Sequence, residues 1–153
     1  MHIVTLCFIH YLNSTSQFLT QALIRRAECT KTVPRIVFLD ANALLMPFQF
    51  RMNLEMELRR LLGETDVAIP TPVLTELEVL ASKDRDAQAA LRLARRYREI
   101  EASGSADEAL LDLALAHHGV VVTNDQPLLN RLRAQGIPRI FLRSRSHLVA
   151  EGL

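Results

Sequence analysis

Short apolar runs alternate with longer amphipathic stretches along most of the chain. The first run, 36–39, is continuously apolar, which is typical of a strand buried on both faces of a parallel sheet. Further strands are predicted at 67–70, 120–122 and 139–142. Because the connections between them are too long for hairpins, the pattern predicts an α/β fold, with three α/β/α layers and a central parallel sheet of four to five strands.

The stretches between these strands carry the signals of helix starts and ends. A helix is predicted from Asn53 to Leu62, and Gly63 after it is a favourable C-terminal residue. Another is expected to open with Thr71 as its N-cap and Pro72 at its first position. The remaining predicted helices span 84–100, 105–117 and 127–134.

Residues 1–34 do not follow this alternation and are predicted to form an N-terminal extension ahead of a domain at 35–150. The apolar stretch at the start is shorter than the about 20 residues that a membrane span needs, and it lacks clear signal-peptide features. We therefore expect no membrane anchor. Cys7 and Cys29 fit no zinc-binding spacing, and this usage favours a reducing, cytoplasmic setting.

Charge is distributed unevenly, although the formal net charge is only +1. Between Gln126 and Ala150 there is no Asp or Glu, while several arginines, including Arg139, fall there. Such a cluster favours contacts with nucleic-acid phosphates, and solvated helix faces are the alternative. The candidates for RNA contact are Arg131, Arg133, Arg143 and Arg145. The absence of a GxxxxGKS/T loop argues against a nucleoside-triphosphate enzyme.

Four acidic residues stand at positions that an α/β fold brings together. Asp40 directly follows the first strand, and Asp125 follows the strand at 120–122 by a short step. Glu76 and Asp107 fall in the first turns of predicted helices. Because strand ends and helix starts meet at the carboxyl edge of a parallel sheet, all four carboxylates are expected to converge on one cleft.

Four carboxylates in one cleft repel each other unless a cation compensates them. Hard divalent cations such as Mg²⁺ and Mn²⁺ prefer oxygen ligands, and a water bound to them can attack phosphorus. The sequence therefore predicts a Mg²⁺ or Mn²⁺ site, whose ligands are also the candidate catalytic residues. These are Asp40, Glu76, Asp107 and Asp125.

Each of these acids except Asp40 also has a clear structural alternative. Asp125 precedes Gln126 and Pro127, where it could simply cap a helix. Glu76 could be an ordinary acid near the start of a helix, favoured by the helix dipole. Asp40 ends an apolar strand, and we expect no structural role to compete for it.

Asp107 competes with its neighbour Glu108 for the third position in the site. Ser105 and Glu108 match the S-x-x-E capping box, which gives Glu108 a structural role and leaves Asp107 for the metal. Asp112 lies about 140° round the helix from Asp107 and shares a face with Glu108 instead. Glu108 and Asp112 therefore stay open as alternates to Asp107.

Three polar residues next to these acids could support them. Asn42 follows Asp40 by two positions, and Thr123 and Asn124 directly precede Asp125. Metal ligands need hydrogen-bonding partners of this kind to fix their orientation. The alternative for each of the three is an ordinary turn residue.

These motifs together resemble the PIN-domain family of metal-dependent ribonucleases. The resemblance covers about residues 35–150 and rests on IVFLDANALL at 36–45, TPVLTELEVL at 71–80, SADEALLDLALAHHGVVVTNDQPL at 105–128 and IPRIFL at 137–142. It implies a PIN-like fold, Mg²⁺ or Mn²⁺, RNA substrates and frequent homodimers. It also places the family's acidic positions on Asp40, Glu76, Asp107 and Asp125, with Asn42 and Thr123 in support.

The stretch from Met46 to Asn53 resembles archaeal small-subunit ribosomal-RNA-processing PIN proteins more than the VapC toxins. We therefore expect a metal-dependent endoribonuclease, with ribosomal RNA processing as its setting. A non-cleaving PIN-fold module that binds RNA or a ribosome-assembly partner stays open, as does a VapC-like toxin with an antitoxin partner. A receiver-like phosphorylation domain does not fit, because the only lysines, Lys31 and Lys83, are badly placed.

Overall fold

The computed structural model describes residues 35–153, so the predicted extension at 1–34 lies outside the described residues. The strands are β1 (Arg35–Leu39), β2 (Thr65–Pro70), β3 (Arg98–Ile100), β4 (Val120–Val122), β5 (Arg139–Arg143) and β6 (His147–Glu151). They form one sheet in the order β3-β2-β1-β4-β5-β6. Strands β1 to β5 are parallel, which confirms the prediction, and β6 adds an antiparallel edge strand.

Helices connect the parallel strands and cover the sheet. They are α1 (Ala41–Phe50), α2 (Leu54–Leu62), α3 (Thr71–Ala81), α4 (Arg85–Ala94), α5 (Ala106–His117) and α6 (Gln126–Ala134). Strand β1 has β2 on one side and β4 on the other, so right-handed crossovers place helices on both faces and produce three layers. Within residues 35–153, no helix has the length and apolar character that crossing a membrane requires.

Strand β1 lies in the middle of the sheet because its side chains can be buried on both faces. Val37, Phe38 and Leu39 are fully buried, as are the three valines of β4 beside them. The backbone of Gly119 approaches the ring of Phe38 so closely that a Cβ there would lie 2.5 Å from a ring carbon. The packing of this backbone against β1 therefore requires glycine at position 119, two residues after the end of α5 at His117.

Helix α1 and strand β3 differ from the prediction. Helix α1 was not predicted because it is apolar on nearly all sides and contains Pro47, so no polar face marks it. The predicted helix at 84–100 is wrong at its C-terminal end, since α4 stops at Ala94 and β3 pairs with β2. The residues of β3 are largely exposed, so no hydrophobic alternation reveals that strand.

Helix α3 starts one residue earlier than predicted. Pro70 is its N-cap and Thr71 is its first residue. Thr71 does not cap the helix, because its hydroxyl donates to the carbonyl of Ile100 at 3.1 Å. Glu76 lies in the second turn of α3, so the prediction that it lies in the first turn is wrong.

Strands β5 and β6 form an antiparallel hairpin that was not predicted. Helix α2 closes its outer edge, where the N–H of Leu148 donates to Glu57 and the carbonyl of Leu148 accepts from Arg60, both at 2.9 Å. Such cover protects an edge strand from unwanted pairing. Within the hairpin, Arg139 is buried and pairs with Glu151, so this arginine has a structural role.

Replacing Glu57 by Gln is expected to lower the free energy of unfolding by about 1 kcal/mol at neutral pH. The side chain of Arg60 and the N–H of Leu148 stabilise the carboxylate and lower the pKa of Glu57 from 4.5 to about 2. Because the pKa is lower in the folded state, the stabilisation is complete above pH 4.5 and is lost as the pH falls towards about 2.

Urea unfolding at neutral pH and near pH 3 measures this contribution of Glu57. The exposed Glu64, which precedes β2, supplies the matched control as Glu64→Gln and should show little change at either pH. The difference between wild type and Glu57→Gln should shrink at the lower pH. An equal loss at both pH values would contradict the role of the ionised carboxylate.

Candidate active site

The strand order predicts a crevice beside β1 at the carboxyl edge of the sheet, because β2 lies on one side of β1 and β4 on the other. Ligands of open α/β sheets bind at such switch points. Asp40 lies here, directly after β1, and its N–H donates to the carbonyl of Val122 at the end of β4 (3.1 Å). The two strand ends that lead to Asp40 and Asp125 are therefore direct neighbours.

Asp40 is 5% exposed, and three groups donate to its carboxylate. Oδ1 accepts from the N–H of Ala41 at 2.7 Å. Oδ2 accepts from the hydroxyl of Thr123 at 2.6 Å and more distantly from the amide of Asn42 at 3.5 Å. Asp40 is also the N-cap of α1. The expectation that no structural role competes for Asp40 is therefore wrong, because the helix that it caps was not predicted.

Thr123 joins Asp40 to Asp125. It is fully buried, and its hydroxyl donates to Asp40 and accepts from the N–H of Asp125 at 3.1 Å. Asp125 in turn accepts from the N–H of Leu128 at 3.0 Å and caps α6, which confirms its structural alternative. A carboxylate has a second oxygen, so this capping role is compatible with cation binding. Asn124, between the two, is exposed.

Glu76 and Asp107 approach the site from two helices. Glu76 is exposed on α3, and Asp107 is the second residue of α5. The predicted capping box is present at α5, with both hydrogen bonds between Ser105 and Glu108 formed. Glu108 therefore has the structural role that the sequence predicts. Asp107 instead contacts Arg131 of α6, with 3.4 Å between the guanidinium and the carboxylate.

The four carboxylates act on each other electrostatically. Partial desolvation raises the pKa of Glu76, although this side chain reaches solvent, and the negative charges of Asp40, Asp107 and Asp125 raise it further. Burial likewise raises the pKa of Asp40, with an additional contribution from Asp107, while the hydrogen bonds that Asp40 accepts oppose the rise. A positive charge among these residues would oppose both shifts.

As placed, no three Asp, Glu, His or Cys side chains within residues 35–153 form a group that could bind a metal ion. The chemistry of the donors nevertheless fits a hard divalent cation, because all are oxygen atoms and a cation would relieve the repulsion among the carboxylates. The metal-ligand assignment remains a prediction, and so do the supporting roles. The residues concerned are Asp40, Glu76, Asp107 and Asp125, with Asn42, Thr123 and Asn124 in support.

A groove of about 450 Å³ lies beside Glu76. Helix α3 and the segment that leads into α5 form its walls, with Thr75, Val79, Gly104 and Ser105 among the lining residues. This groove is not predictable from the sequence, because it depends on how α3 packs against α5. Glu76 is one of the residues that line this groove.

The predicted RNA-contacting arginines separate into two pairs. Arg131 contacts an acid of the site, and Arg133 contacts Glu151 at 3.3 Å. Arg143 and Arg145 are exposed, and neither forms an ion pair with another residue of the described part of the chain. The second pair therefore has its charge available for a partner.

Comparison with known proteins identifies relatives over most of the chain. A family model described as a PIN like domain matches residues 37–145. Ribonuclease VapC4 of Methanocaldococcus jannaschii is 30% identical over 125 residues, covering 74% of this chain and 95% of that protein. Ribonuclease VapC9 of Archaeoglobus fulgidus is 25% identical over 122 residues, covering 76% of this chain and 90% of that protein.

A solved structure has the same fold. The structure of the PIN domain endonuclease Utp24 matches with a TM-score of 0.68 and 27% sequence identity, over 78% of this chain and 93% of that chain. The chain belongs to the PIN-domain family. Both the family resemblance of the sequence and the predicted three-layer fold are thereby confirmed.

Proposed function

We propose that this chain is an endoribonuclease that uses Mg²⁺ or Mn²⁺ to cleave phosphodiester bonds of RNA. The proposal rests on one observation: Thr123 connects Asp40 to Asp125 by hydrogen bonds at the carboxyl edge of the sheet. The negative charges of both aspartates also raise the pKa of Glu76. Membership of the PIN-domain family supports it, as do two relatives that are named as ribonucleases.

The ligands of the ion would be Asp40, Glu76, Asp107 and Asp125. A bound divalent ion supplies an activated water and stabilises the charge that develops on phosphate oxygens. Asp40 and Asp125 are already oriented by backbone N–H groups at the starts of α1 and α6. Glu76 is exposed and Asp107 is partly exposed, so their side chains can move towards an ion between them.

Thr123 fixes the orientation of Asp40 by donating to its Oδ2, and the N–H of Asp125 fixes the hydroxyl of Thr123 in turn. This chain of hydrogen bonds connects the carboxylate of Asp40 to the backbone of Asp125, and so links the ends of β1 and β4. The groove beside Glu76 gives an RNA strand access to the site. The burial of Asp40 limits the water around that carboxylate, which strengthens its interaction with a cation.

Ribosomal RNA precursors are the substrate that we propose first, supported by the resemblance of residues 46–53 to ribosomal-RNA-processing PIN proteins. The similarity to two proteins named VapC favours a second candidate, a toxin ribonuclease with an antitoxin partner. Both roles imply a cytoplasmic protein.

Asp107→Asn is expected to reduce cleavage of a labelled single-stranded RNA at least about tenfold, because the site loses one of its charges. Stability should change little, since Asp107 has no capping role and its ion pair with Arg131 is exposed. Glu108→Gln is the matched control on the neighbouring residue. It should retain both cleavage and most of the stability, because glutamine at this position can still accept from the N–H of Ser105 and complete the capping box.

Cleavage is measured in Mn²⁺, in Mg²⁺ and in EDTA, and urea unfolding is measured on the same three proteins. Cleavage that persists in EDTA would overturn the role of the metal. Loss of cleavage in Glu108→Gln, with full cleavage in Asp107→Asn, would show that Glu108 is the ligand. If wild type binds RNA but cuts it with neither divalent ion, the non-cleaving RNA-binding module is the correct function.

A further inference from the structure

The hairpin of β5 and β6 extends beyond the end of β4, at the edge of the sheet that carries the four acids. Ile140 pairs with Val122, the last residue of β4, so β5 continues for three residues, 141–143, beyond the end of β4. At about 3.3 Å per residue, the hairpin tip lies roughly 10 Å beyond the end of β4. Asp125 follows Val122 by three positions at the same edge. The tip and the candidate active site therefore share one side of the molecule.

The turn at the hairpin tip has side chains where glycine is preferred. Ser144 and Arg145 have φ angles of 54° and 59°, and the N–H of Ser146 donates to the carbonyl of Arg143 at 3.3 Å. Two successive residues with positive φ are typical of a type I′ turn, for which Asn-Gly is the favoured pair. A residue with a Cβ costs free energy in this left-handed backbone conformation, so folding does not favour arginine at position 145. Backbone strain of this kind points to a role for the side chain.

Hydrogen bonds fix the hairpin to the rest of the fold. Close to the tip, Glu57 and Arg60 of α2 bind the backbone of Leu148. At the opposite end, Arg139 of β5 pairs with Glu151 of β6. The direction in which the tip extends is therefore set by contacts outside the turn itself.

The charges at the tip are available for a partner. Arg143 and Arg145 are exposed and unpaired within the described residues, whereas the two arginines of α6 that were RNA-contact candidates each contact an acid. Ser144 and Ser146 stand beside them in sequence and are also exposed, and the hydroxyl of Ser146 is hydrogen-bonded to the ring of His147 at 3.0 Å. Arginine and serine side chains are frequent donors to phosphate oxygens of nucleic acids.

We propose that the hairpin tip, residues 143–146, binds the sugar–phosphate backbone of RNA on one side of the cleavage site. This inference rests on the proposed function and narrows its substrate to a strand that continues several nucleotides beyond the cleaved bond. A dinucleotide reaches the acids without reaching the tip. Because phosphate contacts carry no direct sequence information, the tip positions the strand and leaves sequence selection to other contacts.

The test compares the full-length wild type with Arg143→Gln/Arg145→Asn, in which asparagine tolerates the left-handed turn. Binding of a labelled single strand of about 20 nucleotides is followed by fluorescence anisotropy in EDTA, over a series of salt concentrations. We expect about tenfold weaker binding at low salt, and a salt slope reduced by about 1.4 for two lost phosphate contacts in a single strand. Arg143→Gln alone, outside the strained turn, should give about half of that change in slope.

Arg85→Gln/Arg92→Gln is the matched control, because it removes the same charge from exposed positions on α4. The control should leave the salt slope unchanged, and cleavage of a dinucleotide in Mn²⁺ should be equal in wild type and tip variant. The inference is overturned if the control weakens binding as much as the tip variant does, or if the tip variant has the wild-type salt slope. It is overturned as well if the tip variant loses as much cleavage of the dinucleotide as of the long strand. It is also overturned if the tip binds an acidic peptide and no RNA.

These outcomes separate the inference from the proposed function on which it rests. A wild type that binds RNA through the tip and cleaves nothing overturns the proposed function and supports RNA binding by the hairpin. A wild type that cleaves RNA while the tip variant binds with an unchanged slope supports the proposed function and overturns the role of the hairpin.

Discussion

The Asp40→Asn variant is expected to lose RNA cleavage by at least about 100-fold and yet to be more stable than wild type in the absence of divalent ions. Asparagine has the same shape as aspartate and keeps an oxygen that can accept from the N–H of Ala41. The hydroxyl of Thr123 can accept from the new amide instead of donating to a carboxylate. Cleavage falls because the site loses the most buried of its four charges.

The gain in stability follows from the burial of Asp40. Burial raises its pKa above 3.8, although the hydrogen bonds from Thr123 and Ala41 oppose the rise. An acid with a higher pKa in the folded state binds its proton more tightly there, so stability decreases as the pH rises from the unfolded pKa to the folded one. Above the folded pKa this penalty is complete, and asparagine removes it. We expect a gain of about 1 kcal/mol.

Urea unfolding in EDTA and in Mn²⁺ tests both parts of this expectation. In EDTA, Asp40→Asn should unfold at a higher urea concentration than wild type. Mn²⁺ should reverse the order, because an ion at about 100 times its Kd adds about 2.7 kcal/mol to a protein that binds it. Glu64→Gln, at the exposed acid that precedes β2, is the control and should change neither cleavage nor stability. If Asp40→Asn is less stable in EDTA, its capping role outweighs its buried charge and the expectation fails.

The strand ends that carry the site are predictable from sequence because central strands leave a strong pattern. The apolar run before Asp40 and the three valines before Thr123 identify two strands buried on both faces, and these pair directly in the structure. The cap at Ser105 is equally predictable, because it depends on a hydrogen bond to a residue three positions away. Local signals and two-sided burial therefore account for most of the candidate site.

The elements that are not predicted from the sequence lack signals as clear as those of the central strands and of the cap at Ser105. Helix α1 has no polar face, β3 is short and exposed, and β6 forms only by pairing with β5 at the sheet edge. Strand formation of this kind depends on neighbours distant in sequence. Without α1, the capping role of Asp40 cannot be recognised. Without β6, Arg139 is indistinguishable from the exposed arginines around it, although it is buried against Glu151.

Replacing Thr123 by Val is expected to lower kcat/KM for RNA cleavage about 10- to 100-fold, the range seen when a hydrogen-bonding partner of a metal ligand is removed. Valine fills the same buried space but removes the donor to Asp40 and the acceptor for the N–H of Asp125. The carboxylate of Asp40 then keeps its short hydrogen bond from Ala41 and is free to rotate about it. Thr123→Ser restores the hydroxyl and should recover most of the activity.

The pH dependence of cleavage distinguishes this positioning role of Thr123 from a purely structural one. The hydrogen bond from Thr123 lowers the pKa of Asp40, so the valine variant should have a higher pKa there. Because cation binding requires ionised Asp40, the acidic limb of the profile of kcat/KM in Mn²⁺ should move to higher pH in Thr123→Val and return in Thr123→Ser. A loss of stability alone would lower activity without moving that limb. If the valine and serine variants are equally impaired, or if the limb stays in place, Thr123 does not act through Asp40.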